Sequence, residues 1–225
     1  MQLTVSSGRA TVPNGADWAP GSLEAQLVDV ALARLETASA EQLSMRKIAA
    51  EIGVSHQAPY THFRSRTRFL AAVAGTGLAA VAAHAREAVA QAGADPFDQM
   101  LALADHYVTF IERQPHLFDL AYGPSIQMRD HRVLQTAAIA YWTLLREVVG
   151  ACQPVDVSDD EIQNRCEIAA STIYGIARMG AHHKIPRVVR ASPTELVAAA
   201  LRTLDAGWNL PNQPIHRAGA RTNTG

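Results

Sequence analysis

Apolar residues recur every three or four positions along most of this chain, which is the spacing of one face of an α-helix. The first apolar stripe spans Leu23–Leu35 and directly follows Ser22, a residue type that commonly caps a helix start. Alanine and leucine dominate, and we find no alternating β-branched stretch bounded by turn residues. The pattern therefore predicts an all-α protein with about nine helices.

Capping residues and prolines delimit the later helices. Asp95 before Pro96 is an N-cap followed by proline at the first helical position, and Pro115 ends that helix and starts a short one. Three further helices are expected to be capped by Asp130, Ser158 and Ser192. The helices expected from these signals are Pro96–Arg113, 115–121, about 131–151, about 159–183 and about 193–207.

Both ends of the chain differ from this helical middle. Residues 1–20 and 209–225 are rich in Gly, Pro, Asn, Ser and Thr and lack apolar periodicity. We therefore expect a flexible tail at each end.

Composition sets broad limits on the class of protein. The 225 residues are 48% hydrophobic and 18% charged with a net charge of −1, which is ordinary for a globular protein. Two cysteines, Cys152 and Cys166, are too few for a disulfide framework. No signal-peptide pattern opens the chain, and the longest uncharged run, residues 69–83, is shorter than a membrane span of about 20 residues. We expect a soluble, cytoplasmic protein without a membrane partner.

Residues 44–63 have the pattern of a helix-turn-helix. The first helix, residues 44–52, places Ile48 and Ile52 on one inward face. Gly53 can supply the positive φ that a tight turn needs, and the Val54 side chain can anchor the turn in the core. Ser55 is a candidate N-cap for the second helix.

The second helix of this motif is short, polar at its tips and surrounded by basic residues. Five Lys or Arg residues and a single acidic residue, Glu51, lie between positions 44 and 68, which gives a local charge of +4. Such a segment can neutralise phosphates. A plain αα-hairpin, the alternative, has no reason to carry this charge, so the segment indicates DNA binding.

These residues also carry a family resemblance. The core IAAEIGVS, the Tyr-x-His-Phe end of the second helix and the basic Arg64-Ser65-Arg66 turn make residues 22–75 resemble the DNA-binding domain of the TetR family of bacterial repressors. The string VSHQAPYTHF resembles one branch of that family, although Pro59 stands where Leu or Ile is usual. As the fourth residue after a Ser55 cap, Pro59 is expected to forfeit about one intrahelical hydrogen bond.

The resemblance implies roles for individual residues in a DNA-binding domain at 21–75. Ser44 and the amides behind it would hold a phosphate, and His56, Gln57 and Thr61 would read bases. Tyr60 would contact a phosphate instead of packing in the core. The DNA-contacting set implied in this way is Ser44, Arg46, Lys47, Ser55, His56, Gln57, Ala58, Pro59, Tyr60, Thr61, His62, Arg64 and Arg66.

The resemblance also implies that residues 76–208 form a helical domain for ligand binding and dimerisation. The last two long helices would pair across a two-fold axis, which would suit a pseudo-palindromic operator in double-stranded DNA. Burial against the same subunit is the alternative for each candidate interface residue. These candidates are Ile173, Ile176, Ala177, Gly180, Leu196, Ala200 and Leu204.

A pocket for a small-molecule effector is expected among the helices between residues 78 and 183. Polar or aromatic residues on otherwise apolar helices are the candidates for contacting an effector, and each also fits an ordinary core or surface position. They are His106, Tyr107, Tyr122, Tyr141, Trp142, Tyr174, Arg178 and His182. Together these features predict a homodimeric repressor that an apolar or aromatic ligand releases from DNA.

Two other functions are less consistent with this sequence. A metal-responsive regulator of the same fold would use some of the nine histidines, but the adjacent His182 and His183 point about 100° apart on a helix, and no Cys-x-x-Cys or His-Glu-x-x-His occurs. An all-α enzyme would be expected to show a nucleotide-binding glycine loop, a nucleophile elbow or a diiron motif, and none is found. We therefore predict no metal, no cofactor and no catalytic site.

Overall fold

The computed structural model describes residues 18–181 and 190–209. Within these ranges the chain forms nine α-helices and two short 3-10 helices, with no strand. The predicted all-α class is confirmed. The helices are α1 (Leu23–Leu35), α2 (Met45–Glu51), α3 (Ala58–Phe63), α4 (Arg66–Gln91), α5 (Pro96–Arg113), α6 (Pro115–Tyr122), α7 (Arg132–Ala151), α8 (Asp159–Ala181) and α9 (Pro193–Trp208), and the 3-10 helices are Ala40–Gln42 and Met128–Asp130.

Most predicted helix starts are confirmed because the capping side chains make their bonds. The Ser22 hydroxyl accepts a hydrogen bond from the amide of Ala25 at 3.3 Å, and the Asp95 carboxylate accepts from the amide of Phe97 at 2.8 Å. The prediction for Asp130 is wrong. Asp130 ends a 3-10 helix, so α7 begins only after His131.

Helix α4 is the central helix of the fold. It starts beside α3 and packs against α1, α5, α6 and α7. By length and hydropathy alone this helix would qualify as a membrane span, but 67% of its most apolar window is buried in the protein core. Its apolar character therefore belongs to a core helix.

Two glycines let neighbouring helices approach α4 closely. A Cβ atom added at Gly75 would lie 2.5 Å from Val133 Cγ1 on α7. A Cβ atom at Gly77 would lie 2.7 Å from Leu117 Cδ1 on α6 and 2.9 Å from Leu32 Cδ2 on α1. Helix α4 is therefore in direct contact with both the first helix and the later helices.

Trp18 lies in the stretch for which the sequence predicts a flexible tail. In the structure its ring packs edge-on against Phe63 at a centroid distance of 5.5 Å, and Phe63 packs against Phe69 at 5.1 Å. This aromatic row joins the residues before α1 to the end of α3 and the start of α4. Residues 1–17 and 210–225, which are most of the two predicted tails, lie outside the described ranges.

Candidate nucleic-acid interface and ligand cavity

Helices α2 and α3 are joined by the tight turn that the sequence predicts. Gly53 has a φ of +73°, and the amide of Val54 donates to the carbonyl of Ala49 at 3.0 Å. Ile48 and Ala49 are fully buried, so α2 is fixed against the core. The Ser44 hydroxyl accepts from the amide of Lys47 at 3.4 Å and caps the start of α2.

The start of α3 differs from the prediction. Gln57, and not Ser55, is the residue before the helix, although the Ser55 hydroxyl still accepts from the amide of Gln57 at 3.3 Å. Pro59 is consequently the second residue of α3, where a backbone amide has no intrahelical partner. The expected loss of a hydrogen bond at Pro59 is therefore wrong. Pro59 is also buried, so its ring faces the protein interior and not the surface proposed to meet DNA.

The remaining side chains of this segment point outward. His56, Gln57 and Thr61 are exposed, and Tyr60 retains 41% of its accessible surface, so Tyr60 is not a core aromatic residue. The Thr61 hydroxyl donates to the carbonyl of Gln57 at 3.3 Å. The short helix thus presents several hydrogen-bonding groups on one side while Pro59 and Phe63 hold the other side in the core.

His62 is fixed by a carboxylate on α1. Its Nδ1 lies 2.6 Å from Glu24 Oε1, which leaves Nε2 as the ring nitrogen without a protein partner in the described chain. A backbone amide at the start of α1 and the His62 imidazole hold the pKa of Glu24 below its ordinary value. A phosphate contact by His62 would therefore use Nε2, with Glu24 orienting the ring.

The basic residues around α3 are mostly free of internal acidic partners. Arg46, Lys47 and Arg64 are exposed, and no ion pair is made by any of them within residues 18–181 and 190–209. Glu51, the single acid of the segment, is bound by Arg34, whose Nε donates at 2.9 Å.

Arg34 lies outside the basic segment, so its partner Glu51 does not neutralise the arginines and lysine near α3. Arg66 differs from them because its Nη2 donates to the carbonyl of Ala40 at 2.6 Å. That bond fixes the start of α4 to the 3-10 helix Ala40–Gln42.

A cavity of about 630 Å³ opens between α5, α6, α7 and α8. Five of the eight predicted ligand-contacting residues line it, and these are Tyr107, Tyr122, Tyr141, Trp142 and Tyr174. The structure thus brings together aromatic side chains that lie up to 67 positions apart in the sequence, from Tyr107 to Tyr174. Its walls are mostly apolar, and the pKa values of Tyr107 and Tyr141 are raised by burial, that of Tyr122 to about 12.

The other three predicted ligand residues are placed elsewhere. His106 lies behind Tyr141, with Nδ1 at 3.4 Å from the tyrosine hydroxyl, and burial lowers the pKa of this histidine. Arg178 forms an ion pair with Asp119 at 2.9 Å and lies over the Phe118 ring. His182 lies outside the described residues.

Sequence reasoning missed much of the α7 wall of the cavity. Besides the predicted Tyr141 and Trp142, α7 contributes further residues at helical spacing, and these are Gln135, Ala138, Ile139 and Leu145. The signal was available as an i, i+3, i+7 pattern. It could not be interpreted without knowing which face of α7 is turned toward α5 and α8.

The predicted dimer residues fall into two groups. Ile173 and Ala177 are buried within the single chain, and a Cβ added at Gly180 would clash with the Pro193 ring of α9. These three positions therefore contact the chain's own helices, as the alternative interpretation held. The other four, Ile176, Leu196, Ala200 and Leu204, are half-buried.

The outer face of α8 carries further apolar residues that are exposed in the single chain. Ile168 is 39% exposed and Met179 is 48% exposed. Between them lies Gly175, where an added Cβ would meet no atom within 4 Å. This face consists of small and apolar side chains with no covering element in the described part of the chain.

The residues that could bind metal are dispersed. No group of three or more His, Cys, Asp or Glu side chains with metal-binding geometry occurs in the described ranges. Cys152 and Cys166 are free thiols, and burial raises the pKa of Cys166 to about 11 and that of Cys152 to about 12.

Comparison with known proteins adds two family matches. Residues 27–73 match the model described as "Bacterial regulatory proteins, tetR family", and residues 100–204 match "Tetracyclin repressor-like, C-terminal domain". The first covers α2 and α3 with their supporting helices, and the second covers the helices that line the cavity. No curated protein matches the chain.

Several solved structures share the fold. A protein of unknown function from Rhodococcus sp. RHA1 is 29% identical, with a TM-score of 0.69 over 85% of this chain and 98% of that one. PfmR, a TetR family transcriptional regulator from Thermus thermophilus, is 16% identical, with a TM-score of 0.55 over 83% and 100% of the two chains. FadR from Bacillus subtilis, solved in complex with stearoyl-CoA, is 12% identical, with a TM-score of 0.56 over 81% and 97%. At these identities the last two show likeness of fold alone.

Proposed function

The chain belongs to the TetR family of bacterial regulatory proteins, and from that premise we propose that it is a homodimeric repressor released from its operator by a small apolar or aromatic ligand. Members of this family are DNA-binding transcriptional regulators that respond to ligands. The single observation that carries the DNA-binding part is the exposed side of α3, flanked by Arg46, Lys47 and Arg64, which form no ion pair with the described residues. Such a protein acts in the cytoplasm.

Helix α3 would enter the major groove as the recognition helix. His56, Gln57 and Thr61 would face base edges, and the Gln57 amide has the donor and acceptor needed to bind adenine bidentately. Tyr60 and His62 would contact phosphates at the groove edge, and Arg46 and Lys47 would contact the backbone from α2. The buried face of α3, with Pro59 and Phe63, would keep the helix rigid against α4.

Dimerisation would present two copies of α3 to successive major grooves. The uncovered face of α8, with Ile168, Gly175 and Met179, supports pairing of α8 and α9 with the same helices of a second copy. A two-fold pair of recognition helices about 34–36 Å apart, or somewhat more, would match a pseudo-palindromic operator.

Ligand release requires a physical connection between the cavity and α3. Helices α6 and α7 form cavity walls, and both touch α4 where Gly75 and Gly77 allow close approach. Helix α4 in turn begins directly after the recognition helix. A ligand that spreads α6 and α7 would therefore shift α4 and change the spacing of the two DNA-binding heads, which lowers affinity for the operator.

Fluorescence anisotropy with labelled duplex DNA tests the DNA-binding part. We expect the full chain to prefer DNA from its own upstream region over random duplex, and to lose affinity on the order of a thousandfold between 50 and 200 mM salt if about six phosphates are contacted. Equal affinity for upstream and random DNA would contradict the proposal.

Single variants make the same measurement specific to the interface. Tyr60→Ala and Lys47→Ala are expected to weaken operator binding, the former because it removes both a phosphate contact and a surface that excludes water. Arg129→Ala removes an exposed positive charge in the 3-10 helix Met128–Asp130, outside the residues proposed to contact DNA, so its affinity should stay within about twofold of the unaltered protein. Equal losses in Lys47→Ala and Arg129→Ala would indicate non-specific charge attraction and contradict the proposed interface.

A further inference from the structure

The cavity walls are unusually rich in aromatic rings. Phe118 does not line the cavity but is buried behind three of its tyrosines, with ring centroids at 4.9 Å to Tyr122, 6.1 Å to Tyr174 and 6.2 Å to Tyr107. Tyr107 also contacts Tyr141 at 5.6 Å. Flat rings at these spacings favour stacking and edge-on contact with a flat aromatic molecule over packing with a flexible alkyl chain.

Among the described residues, the lining of this cavity includes no ionisable side chain other than tyrosine. None of its lining residues is Lys, Arg, His, Asp or Glu. The neighbouring cation, Arg178, is bound to Asp119 and stacked on Phe118, and burial keeps the pKa of His106 below its ordinary value, so this histidine is neutral at physiological pH. An anion in the cavity would therefore lose its hydration without gaining a counter-charge, which is costly.

Two hydrogen-bond donors face this apolar space without protein partners. The hydroxyls of Tyr107 and Tyr122 make no hydrogen bond within the described chain. Tyr107 is half-buried and Tyr122 is 39% exposed, so both remain accessible from the cavity. Among the non-exposed residues of the described ranges, Thr76 Oγ1 is the single side-chain polar atom that is fully enclosed without a partner, so the Tyr107 hydroxyl is not enclosed in this way. Partial burial also raises both tyrosine pKa values, so the hydroxyls keep their protons and act as donors.

We propose that the cavity binds an uncharged, flat aromatic molecule bearing carbonyl or ether oxygens, which the Tyr107 and Tyr122 hydroxyls recognise, and that it rejects carboxylates and phosphorylated carriers. The volume of about 630 Å³ suits one drug-sized molecule. This inference rests on the proposed function in taking the cavity as the effector site.

A matched set of probes tests the inference on the full-length protein without DNA. The probes are flavone, methyl flavone-8-carboxylate, flavone-8-carboxylic acid and 2-phenylnaphthalene, a hydrocarbon of similar shape with no oxygen. Binding is measured by isothermal titration calorimetry and by the change in tryptophan fluorescence, since Trp142 lines the cavity and Trp18 and Trp208 do not. Trp142→Phe should remove the fluorescence change and so assign it to the cavity.

We expect flavone and the ester to bind saturably at neutral pH, and the acid to bind at least about tenfold more weakly, since it carries a charge into an uncharged cavity. The ester is larger than the acid, so this order would exclude a steric cause. An acid that binds as tightly as its ester, or a flavone and an ester that do not bind up to their solubility limits, would overturn the proposal.

Tyrosine variants test the donors separately from the aromatic walls. Tyr107→Phe and Tyr122→Phe keep the rings and remove one hydroxyl each, so each should weaken flavone binding about 3- to 10-fold while leaving 2-phenylnaphthalene binding unchanged. Thr143→Val removes an exposed hydroxyl from α7 outside the cavity and serves as the matched control. Equal effects of the tyrosine variants on both probes would overturn the role of the hydroxyls.

The outcome separates this inference from the proposed function. If the ester binds but never changes operator affinity, the ligand-release mechanism fails and the chemistry of the cavity stands. If the protein binds its operator but prefers the acid, the assignment of the ligand class fails and the DNA-binding function stands.

Discussion

Gly75 is the position where the absence of a side chain has the clearest structural role. The nearest atoms to a methyl group added there would include the backbone nitrogen of Leu134 at 3.0 Å as well as Val133 Cγ1 at 2.5 Å. A flexible side chain could rotate away, but the backbone of α7 could not do so without moving the helix. Gly75 therefore determines how closely α7 can approach α4, and with it the position of one cavity wall.

Substituting Gly75 by alanine should be destabilising. We expect Gly75→Ala to lower the free energy of unfolding by about 1–3 kcal/mol, because overpacking forces α4 and α7 apart. Gly150→Ala is the matched control on α7, where the new methyl group would lie 3.7 Å from Ile162 and should be neutral or slightly stabilising. Urea unfolding of both variants measures the difference, and similar stabilities would show that the two helices are not in tight contact at Gly75.

Glu24 gives the fold a pH-dependent contact beside the proposed DNA surface. Its pKa is lowered in the folded protein, so the stabilisation is present above the ordinary value of 4.5 and is lost as the pH falls through the folded pKa. Glu24→Gln should therefore lower the melting temperature at neutral pH but make little difference in acid. Glu36→Gln, at the other end of α1 and without an ion pair in the described chain, is the control. A constant deficit of Glu24→Gln across the pH range would contradict the assignment.

At the scale of single elements, the hydrogen bonds of the N-cap residues define where most helices of this fold begin. Helix α9 has the most complete cap, because the Ser192 hydroxyl accepts from the amide of Glu195 at 3.2 Å and the Glu195 carboxylate accepts from the amide of Ser192 at 2.7 Å. The Ser192 amide and the Ser192 hydroxyl both donate to the Glu195 carboxylate, and these two bonds hold the pKa of Glu195 below its ordinary value. Helix α9 packs against α5 and α8, so its start also sets how α8 is supported.

Removing this cap should weaken α9. Ser192→Ala is expected to lower the free energy of unfolding by about 1 kcal/mol, because the amide of Glu195 loses its acceptor. Thr194→Ala changes a neighbouring side chain of α9 that makes no hydrogen bond to the described residues. Because alanine has the higher helix propensity, this substitution should be neutral or slightly stabilising. Chemical denaturation compares the two, and an equal cost would mean that the cap contributes nothing specific.

At the scale of the whole molecule, the way two protomers can pair depends on which face of α8 is already packed against its own chain. One face packs on the protein's own core through Ile173 and Ala177, and the opposite face exposes Ile168 and Met179. A second copy of the chain would cover this outer face. DNA affinity and oligomeric state should therefore change together when it is altered.

A charge on the outer face of α8 should separate the protomers. Ile168→Glu adds a carboxylate where the single chain tolerates it but a dimer interface would bury it, so we expect dissociation and a loss of operator affinity. Val155→Glu places the same charge at a fully exposed position and should leave both properties unchanged. Analytical ultracentrifugation measures the mass, and a dimeric Ile168→Glu variant would refute this interface.

Local signals in the sequence predicted most of the helices correctly. The positions that were predicted wrongly depend on structure that the neighbouring residues do not show. Ser22, Asp95 and Ser192 cap helices as expected because an N-cap depends on the next three residues alone. Asp130 does not cap α7, because it is the last residue of the 3-10 helix Met128–Asp130. Trp18 was assigned to a tail because nothing near it in sequence shows that Phe63 is its neighbour.

The sequence by itself determined the all-α class, the tight turn at Gly53, the basic surface around α3 and the outward polar tips of that helix. Each of these follows from residues within a few positions of one another. The tertiary structure alone decided which face of α7 lines the cavity, that Arg178 is neutralised by Asp119, and that Ala177 faces its own chain. Those outcomes depend on how helices distant in sequence rotate against each other to bury their apolar faces, which the periodicity of a single helix does not specify.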